Sequence, residues 1–134
     1  MRLTRRYRFS ASHRLDVPSL SVEDNRRLFG KCNNPWGHGH DYVVDVTVEG
    51  SPDASGQVVG RAALDGLVRE KILDRFDHKN LNQDVAELAA RVPTTENVAE
   101  AIREMLAKDW PLAARLARVR VAETDRNIFE LEIR

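Results

Sequence analysis

Three of the four histidines in this chain stand where they could share one cation. His38 and His40 flank Gly39 in an alternating stretch. Strand residues two apart face the same way, so both imidazoles leave one face about 7 Å apart and can converge. His13 ends an earlier alternating stretch on its apolar side. With the two stretches paired, it adds a third nitrogen at the roughly 2.0 Å bond length that zinc takes. Three protein ligands leave a fourth position open for water or substrate, which marks a catalytic rather than a structural centre. An isolated H-x-H is a weak motif, and such histidines are more often hydrogen-bonded core residues. The third histidine, and the space that glycines 37 and 39 clear around the pair, tip the reading toward metal.

Cys32, the only cysteine, lies six residues before His38 in a loop rich in Gly and Asn. It could overhang the open coordination position as a base or nucleophile, with Lys31 favouring the thiolate. It could instead be a fourth ligand, or a packed inert thiol. Asp77-His78 follows a helical pattern. An adjacent acid and imidazole can relay a proton near neutral pH, although a histidine at a helix C-terminus also fits the dipole. Thr94 and Thr95 read equally as helix caps, and Glu123 as surface charge.

The elements that must position these groups follow from periodicity. Residues 2 to 13 alternate, with Leu3, Tyr7, Phe9 and Ala11 opposite Thr4, Arg6, Arg8 and Ser10, and predict a strand. From His38 to Gly50 a second strand places His38, His40, Tyr42, Val44, Val46 and Val48 on one face. Between them Asp16 to Gly37 is a long excursion with a short helix opening at Ser21, and long loops in compact domains are usually functional. Leu64, Leu67, Val68, Ile72 and Phe76 repeat at three and four and predict a helix ending near Asp77. A short amphipathic turn covers 85–90. Thr94-Thr95-Glu96-Asn97 caps a second helix that carries Val98, Ala101, Ile102 and Met105 and stops before Pro111. Strands over 119–124 and 128–133 close the chain. The expected fold is α+β, a four-stranded antiparallel sheet with two helices on one face, and the other face is left bare.

At 134 residues the chain suits one domain, 1–134, with a single core. Its 21 basic and 21 acidic side chains cancel, so no overall field recruits nucleic acid or an acidic membrane, and an anionic substrate needs a local basic pocket. No apolar run is long enough to span a bilayer and the N-terminus has no signal-like apolar region, so the expected location is cytoplasmic.

Six ordered blocks taken together resemble the 6-pyruvoyltetrahydropterin synthase family, end to end: Phe9-Ser10-Ala11-Ser12-His13-Arg14-Leu15, Leu28-Phe29-Gly30-Lys31-Cys32-Asn33-Asn34-Pro35, Gly37-His38-Gly39-His40, Asp77-His78-Lys79-Asn80-Leu81, Thr94-Thr95-Glu96-Asn97-Val98 and Glu123-Thr124-Asp125. The resemblance implies that His13, His38 and His40 hold Zn2+, that Cys32 is the catalytic base, and that Asp77 and His78 complete a proton-transfer set. It implies that Glu123 accepts hydrogen bonds from the amino-pyrimidine edge of a pterin, with Thr94 and Thr95 lining the same pocket. It further implies the tunnelling fold, in which sheets from three subunits close a barrel and two trimers stack as a homohexamer, with active sites between subunits.

The implied reaction is that of a carbon-oxygen lyase, converting 7,8-dihydroneopterin triphosphate to 6-pyruvoyltetrahydropterin with loss of triphosphate, a tetrahydrobiopterin-forming step. Related members make 6-carboxytetrahydropterin for queuosine biosynthesis from the same substrate. The Cys32-to-His38 interval and the Cys32-Asn33-Asn34-Pro35 run look like the biopterin branch. Trp36, Asp41 and Gly60 depart from the pattern, the first two beside the metal loop, where they bear on substrate preference. A reading of another class is a silent pterin- or metal-binding regulator, for which a proton relay has no use.

Overall fold

The computed structural model describes residues 1–134. Strand β1 (Arg2–His13) pairs antiparallel with β2 (His38–Glu49) along its whole length, with Ala11 opposite His40 and His13 opposite His38. Strand β2 continues onto β4 (Arg115–Ala122), and β4 onto β5 (Ile128–Glu132), both antiparallel. The sheet has five strands rather than the expected four: β3 (Lys79–Asn80) adds a short parallel pairing at the outer edge of β1. Two residues are too few to show a period of two, which is why the sequence pattern passes over it.

Helix α1 (Val22–Phe29) opens at Ser21, whose side chain accepts from the Asp24 amide. It buries only Asn25, so it decorates the 16–37 excursion rather than the sheet. The expected first long helix runs over 61–76 in three consecutive parts: α2 (Arg61–Val68), a π-helical turn (Arg69–Leu73) and α3 (Asp74–Phe76). Leu64, Val68, Ile72 and Phe76 are fully buried, while Leu67 stays half-exposed. Helix α4 (Thr95–Ala107) buries Val98, Ala101, Ile102 and Leu106. Three helical segments therefore replace the expected two. The long segment over 61–76 and α4 bury their apolar faces together with the inward residues of the sheet in one core. Each fully buried Leu, Ile, Val or Phe contributes about 1.5–3 kcal/mol.

Both terminal strands begin or end off the expected boundaries. β4 starts at Arg115, four residues early, and carries an irregularity where Thr47 pairs with Arg118 but Val48 with Leu116. Ala117 is the extra residue of this bulge, and its carbonyl accepts from the Ile133 amide.

The opposite sheet face carries no helix. Arg6 clamps Asp45 through two bonds of 2.8 and 3.1 Å, Arg120 adds a third at 3.1 Å, and the Thr4 and Thr47 hydroxyls share a bond of 2.7 Å.

Candidate metal centre and active site

Full-length pairing of β1 with β2 brings His13 and His40 onto the covered face, with ring centroids 4.9 Å apart; His40 and His38 are also 4.9 Å apart. The excursion returns to β2 close against the end of β1. Gly37 has φ +80°, and a Cβ there would lie 2.6 Å from the His13 carbonyl oxygen, so only glycine lets the two chains approach this closely. Gly39 is different: its Cβ would meet nothing nearer than 3.9 Å, so sterics do not demand glycine there.

Buried asparagines order the excursion. Asn25 bonds the Val17 amide and carbonyl, and Asn33 bonds the Leu15 carbonyl and Asp16. The Leu15 amide donates to the Cys32 carbonyl at 2.7 Å, which pins the 3-10 turn Gly30–Asn33 to the residues just after His13. Cys32 Sγ consequently lies 3.6 Å from His40 Nε2.

Glu123, one residue past β4, closes the group from the other side. Its Oε1 lies 2.7 Å from His40 Nε2 and 3.6 Å from His13 Nε2, and its Oε2 accepts from the Thr95 hydroxyl at 2.6 Å. The ligand atoms of His13, Cys32, His40 and Glu123 all lie within 4.8 Å of one another. His38, expected as a ligand, stands at the rim of this foursome with its ring against that of His40.

The electrostatics suit a cation. Burial lowers the affinity of His13 and His40 for a proton, against the pull of Glu123, so both rings favour the neutral form that binds metal. His13 Nδ1 lies 2.9 Å from the Pro93 carbonyl, which can only accept, so that nitrogen carries the proton. His13 Nε2 is then a bare lone pair, fully buried and with no hydrogen-bond partner. A buried acceptor without a partner is costly, and a divalent cation between the His13 and His40 nitrogens resolves it. The residues fit such an ion.

For Cys32 the expected thiolate support from Lys31 is absent. Lys31 is exposed, while burial first, and Glu123 second, push the thiol up. A divalent cation in the group would reverse the sign of that local field.

Asp77 and His78 are paired but held elsewhere. Asp77 Oδ1 accepts from the Ser10 amide at 2.9 Å, which lowers its carboxyl, and Oδ2 lies 3.1 Å from His78 Nδ1. His78 has φ 60°, rare for a residue with a Cβ, and its amide donates to the Ser10 carbonyl. Its side chain is 83% exposed and lines a pocket with Ser10, Ser12 and Asp41, outward residues of β1 and β2. Ala11 and His40 also line that pocket, but within one chain no hydrogen bond or ion pair joins Cys32 to the Asp77-His78 pair. Thr94 is the N-cap of α4, bonding the Asn97 amide, whereas Thr95 is the one that reaches Glu123.

Sequence reading missed two participants. Tyr42, taken only as a strand residue, places its hydroxyl 3.3 Å from His13 Nδ1. Its position two residues beyond His40 on the same face was the available signal. Pro93 acts through a backbone carbonyl, for which residue type gives none.

A mainly antiparallel sheet backed by helices, with one buried and one partly buried imidazole, a thiol and a carboxylate converging under it, defines an α+β protein with a candidate metal centre. The family model described as 6-pyruvoyl tetrahydropterin synthase matches residues 2–133, and the chain belongs to that family. It is 52% identical over 127 residues to the 6-pyruvoyl tetrahydrobiopterin synthase of Homo sapiens, covering 94% of this chain and 87% of that protein. The structure of Caenorhabditis elegans 6-pyruvoyl tetrahydropterin synthase superposes with a TM-score of 0.90 at 38% identity, covering 100% of this chain and 96% of that one. A more distant relative, the dihydroneopterin monophosphate aldolase of Pyrococcus furiosus, is 34% identical over 99 residues, 71% of this chain and 77% of that protein.

Proposed function

We propose that this protein is a zinc-dependent lyase that converts 7,8-dihydroneopterin triphosphate to 6-pyruvoyltetrahydropterin and releases triphosphate. The observation that carries the reading is the convergence of His13, His40, Cys32 and Glu123 within 4.8 Å, in a chain of this family. His38, beside His40, joins His13 and His40 as a metal ligand in this reading. Zinc there supplies a Lewis acid that polarises a side-chain oxygen of the substrate and acidifies the adjacent C–H bond.

Cys32 takes the proton from that carbon. His78, oriented by Asp77, returns one elsewhere on the substrate. Glu123 is held by Thr95 through Oε2 and faces His40 through Oε1; once the His40 nitrogen is given to a metal, Oε1 would be free to accept from the donor edge of the pterin, with Thr94 at the border of the same pocket. Cys32 and the Asp77-His78 pair share no bond within one chain, so in this reading the set is completed by a second copy of the chain. Two features favour a ring of copies that becomes a dimer of trimers: β5 ends the sheet with an open edge, and one sheet face has no helical cover. The whole chain, 1–134, acts as one domain. No helix is long and apolar enough to cross a membrane, and we place the protein in the cytoplasm.

Two experiments test this. Purified protein incubated with 7,8-dihydroneopterin triphosphate and Zn2+ releases triphosphate and yields a product with the mass of 6-pyruvoyltetrahydropterin. The mass of 6-carboxytetrahydropterin would move it to the queuosine branch, and stoichiometric binding without triphosphate release would make it a silent binder. Mixing Cys32→Ala with His78→Ala subunits, each inactive alone, restores part of the activity; no recovery after confirmed subunit exchange would refute a shared site.

A further inference from the structure

We infer that Tyr42 is a positioning residue of the metal centre, its hydroxyl acting with the Pro93 carbonyl to hold the His13 ring so that Nε2 faces the other ligands. The inference rests on the metal reading above and extends it to a residue outside the ligand set.

Tyr42 is fully buried, on a strand face whose next three inward residues are Val44, Val46 and Val48. Its ring is stacked on Phe9, with centroids 4.9 Å apart and planes 14° from parallel, and it meets both ligand rings edge-on, His40 at 5.8 Å and His13 at 6.4 Å. Phenylalanine would supply all of this packing. The hydroxyl is therefore the part that needs a reason, because a buried hydroxyl without a partner costs free energy. Its one hydrogen-bond partner in the chain is His13 Nδ1, at 3.3 Å.

Chemistry fixes the roles. The Pro93 carbonyl requires a proton on Nδ1, so the Tyr42 oxygen accepts a second, longer share of the same N–H. Two acceptors on one side of the ring, from β2 and from the residue preceding the cap of α4, restrain its rotation about the Cβ–Cγ bond. Both strengthen the donor character of Nε2, the usual effect of an acceptor behind a metal-bound imidazole. Tyr42 also links the two ligand-bearing strands: it packs on Phe9 of β1 and lies on the same face of β2 as His40. One side chain thereby sets the spacing of His13 and His40.

The test is Tyr42→Phe, which removes one oxygen and keeps the ring. Zn2+ affinity is measured by competition with a chromophoric chelator, and the thermal midpoint of the metal-free protein checks folding. The expected result is about tenfold weaker Zn2+ binding with the apo midpoint retained, at the low end of what outer partners of a ligand cost because the Pro93 carbonyl remains. In a His13→Gln background the same substitution produces no further loss, since its effect passes through His13. Affinity within twofold of wild type, or an equal tenfold loss in both backgrounds, would overturn the role of Tyr42 while leaving the metal centre intact. Failure of the unsubstituted protein to take up Zn2+ would overturn the metal reading itself and this inference with it.

Discussion

The two faces of the β1–β2 pair bury polar groups in opposite ways. On the bare face Asp45 is 4% exposed, yet three guanidinium bonds from Arg6 and Arg120 answer its carboxylate, and Thr47 at 1% is answered by Thr4. Arg118 and Arg120, whose Nε atoms make no hydrogen bond, still face the Glu130 carboxylate, Arg118 through Nη1 at 3.9 Å and Arg120 through Nε at 3.5 Å. On the covered face His13 is 1% exposed and its Nε2 is left bare. The first arrangement neutralises itself and stabilises the sheet. The second keeps a donor atom in reserve, which stability alone would not select, and the contrast marks the face of the candidate metal centre.

Substitutions on the two faces should then separate activity from stability. The largest effect is expected at Cys32. Replacing it by Ala removes the proposed base, and turnover is expected to fall about 10²- to 10⁴-fold, the usual worth of a positioned acid or base. Zn2+ stoichiometry and thermal midpoint stay at wild-type values, because the Cys32 side chain makes only the 3.6 Å contact to His40 and its backbone bond to Leu15 is untouched. Full activity in this variant would remove Cys32 from the chemistry and blur the distinction between the faces.

Next in size is Asp45→Asn. It leaves Arg6 and Arg120 facing a neutral amide, and because Arg6 is half in water the cost is about 1–3 kcal/mol, below that of breaking a fully buried pair. Zn2+ affinity should not change. The pH dependence has a definite sign. The guanidinium of Arg6, then that of Arg120, hold the Asp45 carboxyl below its ordinary range. Its contribution is complete above the unfolded value of about 3.9 and is lost as pH falls through the folded one. The difference in thermal midpoint between wild type and D45N is therefore constant from neutral pH to about pH 5 and narrows below about pH 4. A gap that widens on acidification would contradict the assignment.

The same contrast explains what the sequence disclosed. Period-two alternation exposed β1 and β2, and with them the shared face of His13 and His40, because burial on one face writes itself into every second residue. The apolar stripes of the 61–76 segment and of α4 were equally plain. Strand β3 escaped because two residues hold no period, and the bulge at Ala117 because one extra residue leaves the alternation ambiguous there. The full composition of the centre escaped for a different reason. Glu123 joins it from the far end of the chain and Pro93 through its backbone; Cys32 was read beside the open position, but the buried asparagines that hold its loop there were not. Each of these depends on tertiary approach, and none alters local periodicity. Pattern alone left Glu123 as surface charge; only the family resemblance gave it a role at the site.

The finest test of the contrast lies within one dipeptide. Thr94 and Thr95 are adjacent and chemically identical, but the first caps α4 and the second, 2% exposed, holds Glu123. Thr94→Ala should cost about 1 kcal/mol of stability through the lost cap. A rise in KM for the pterin substrate would accompany it only if Thr94 also borders the pocket. Thr95→Val keeps the side-chain volume and strips the donor from Glu123 Oε2, freeing the carboxylate to rotate away from the site. Its signature is a higher KM with a stability change of about 1 kcal/mol, the net worth of one hydrogen bond. Urea unfolding and steady-state kinetics on the two variants read both quantities. Equal KM values for Thr95→Val and wild type would mean that Glu123 is positioned by the imidazoles and not by α4, so that the centre would be organised by its ligands alone.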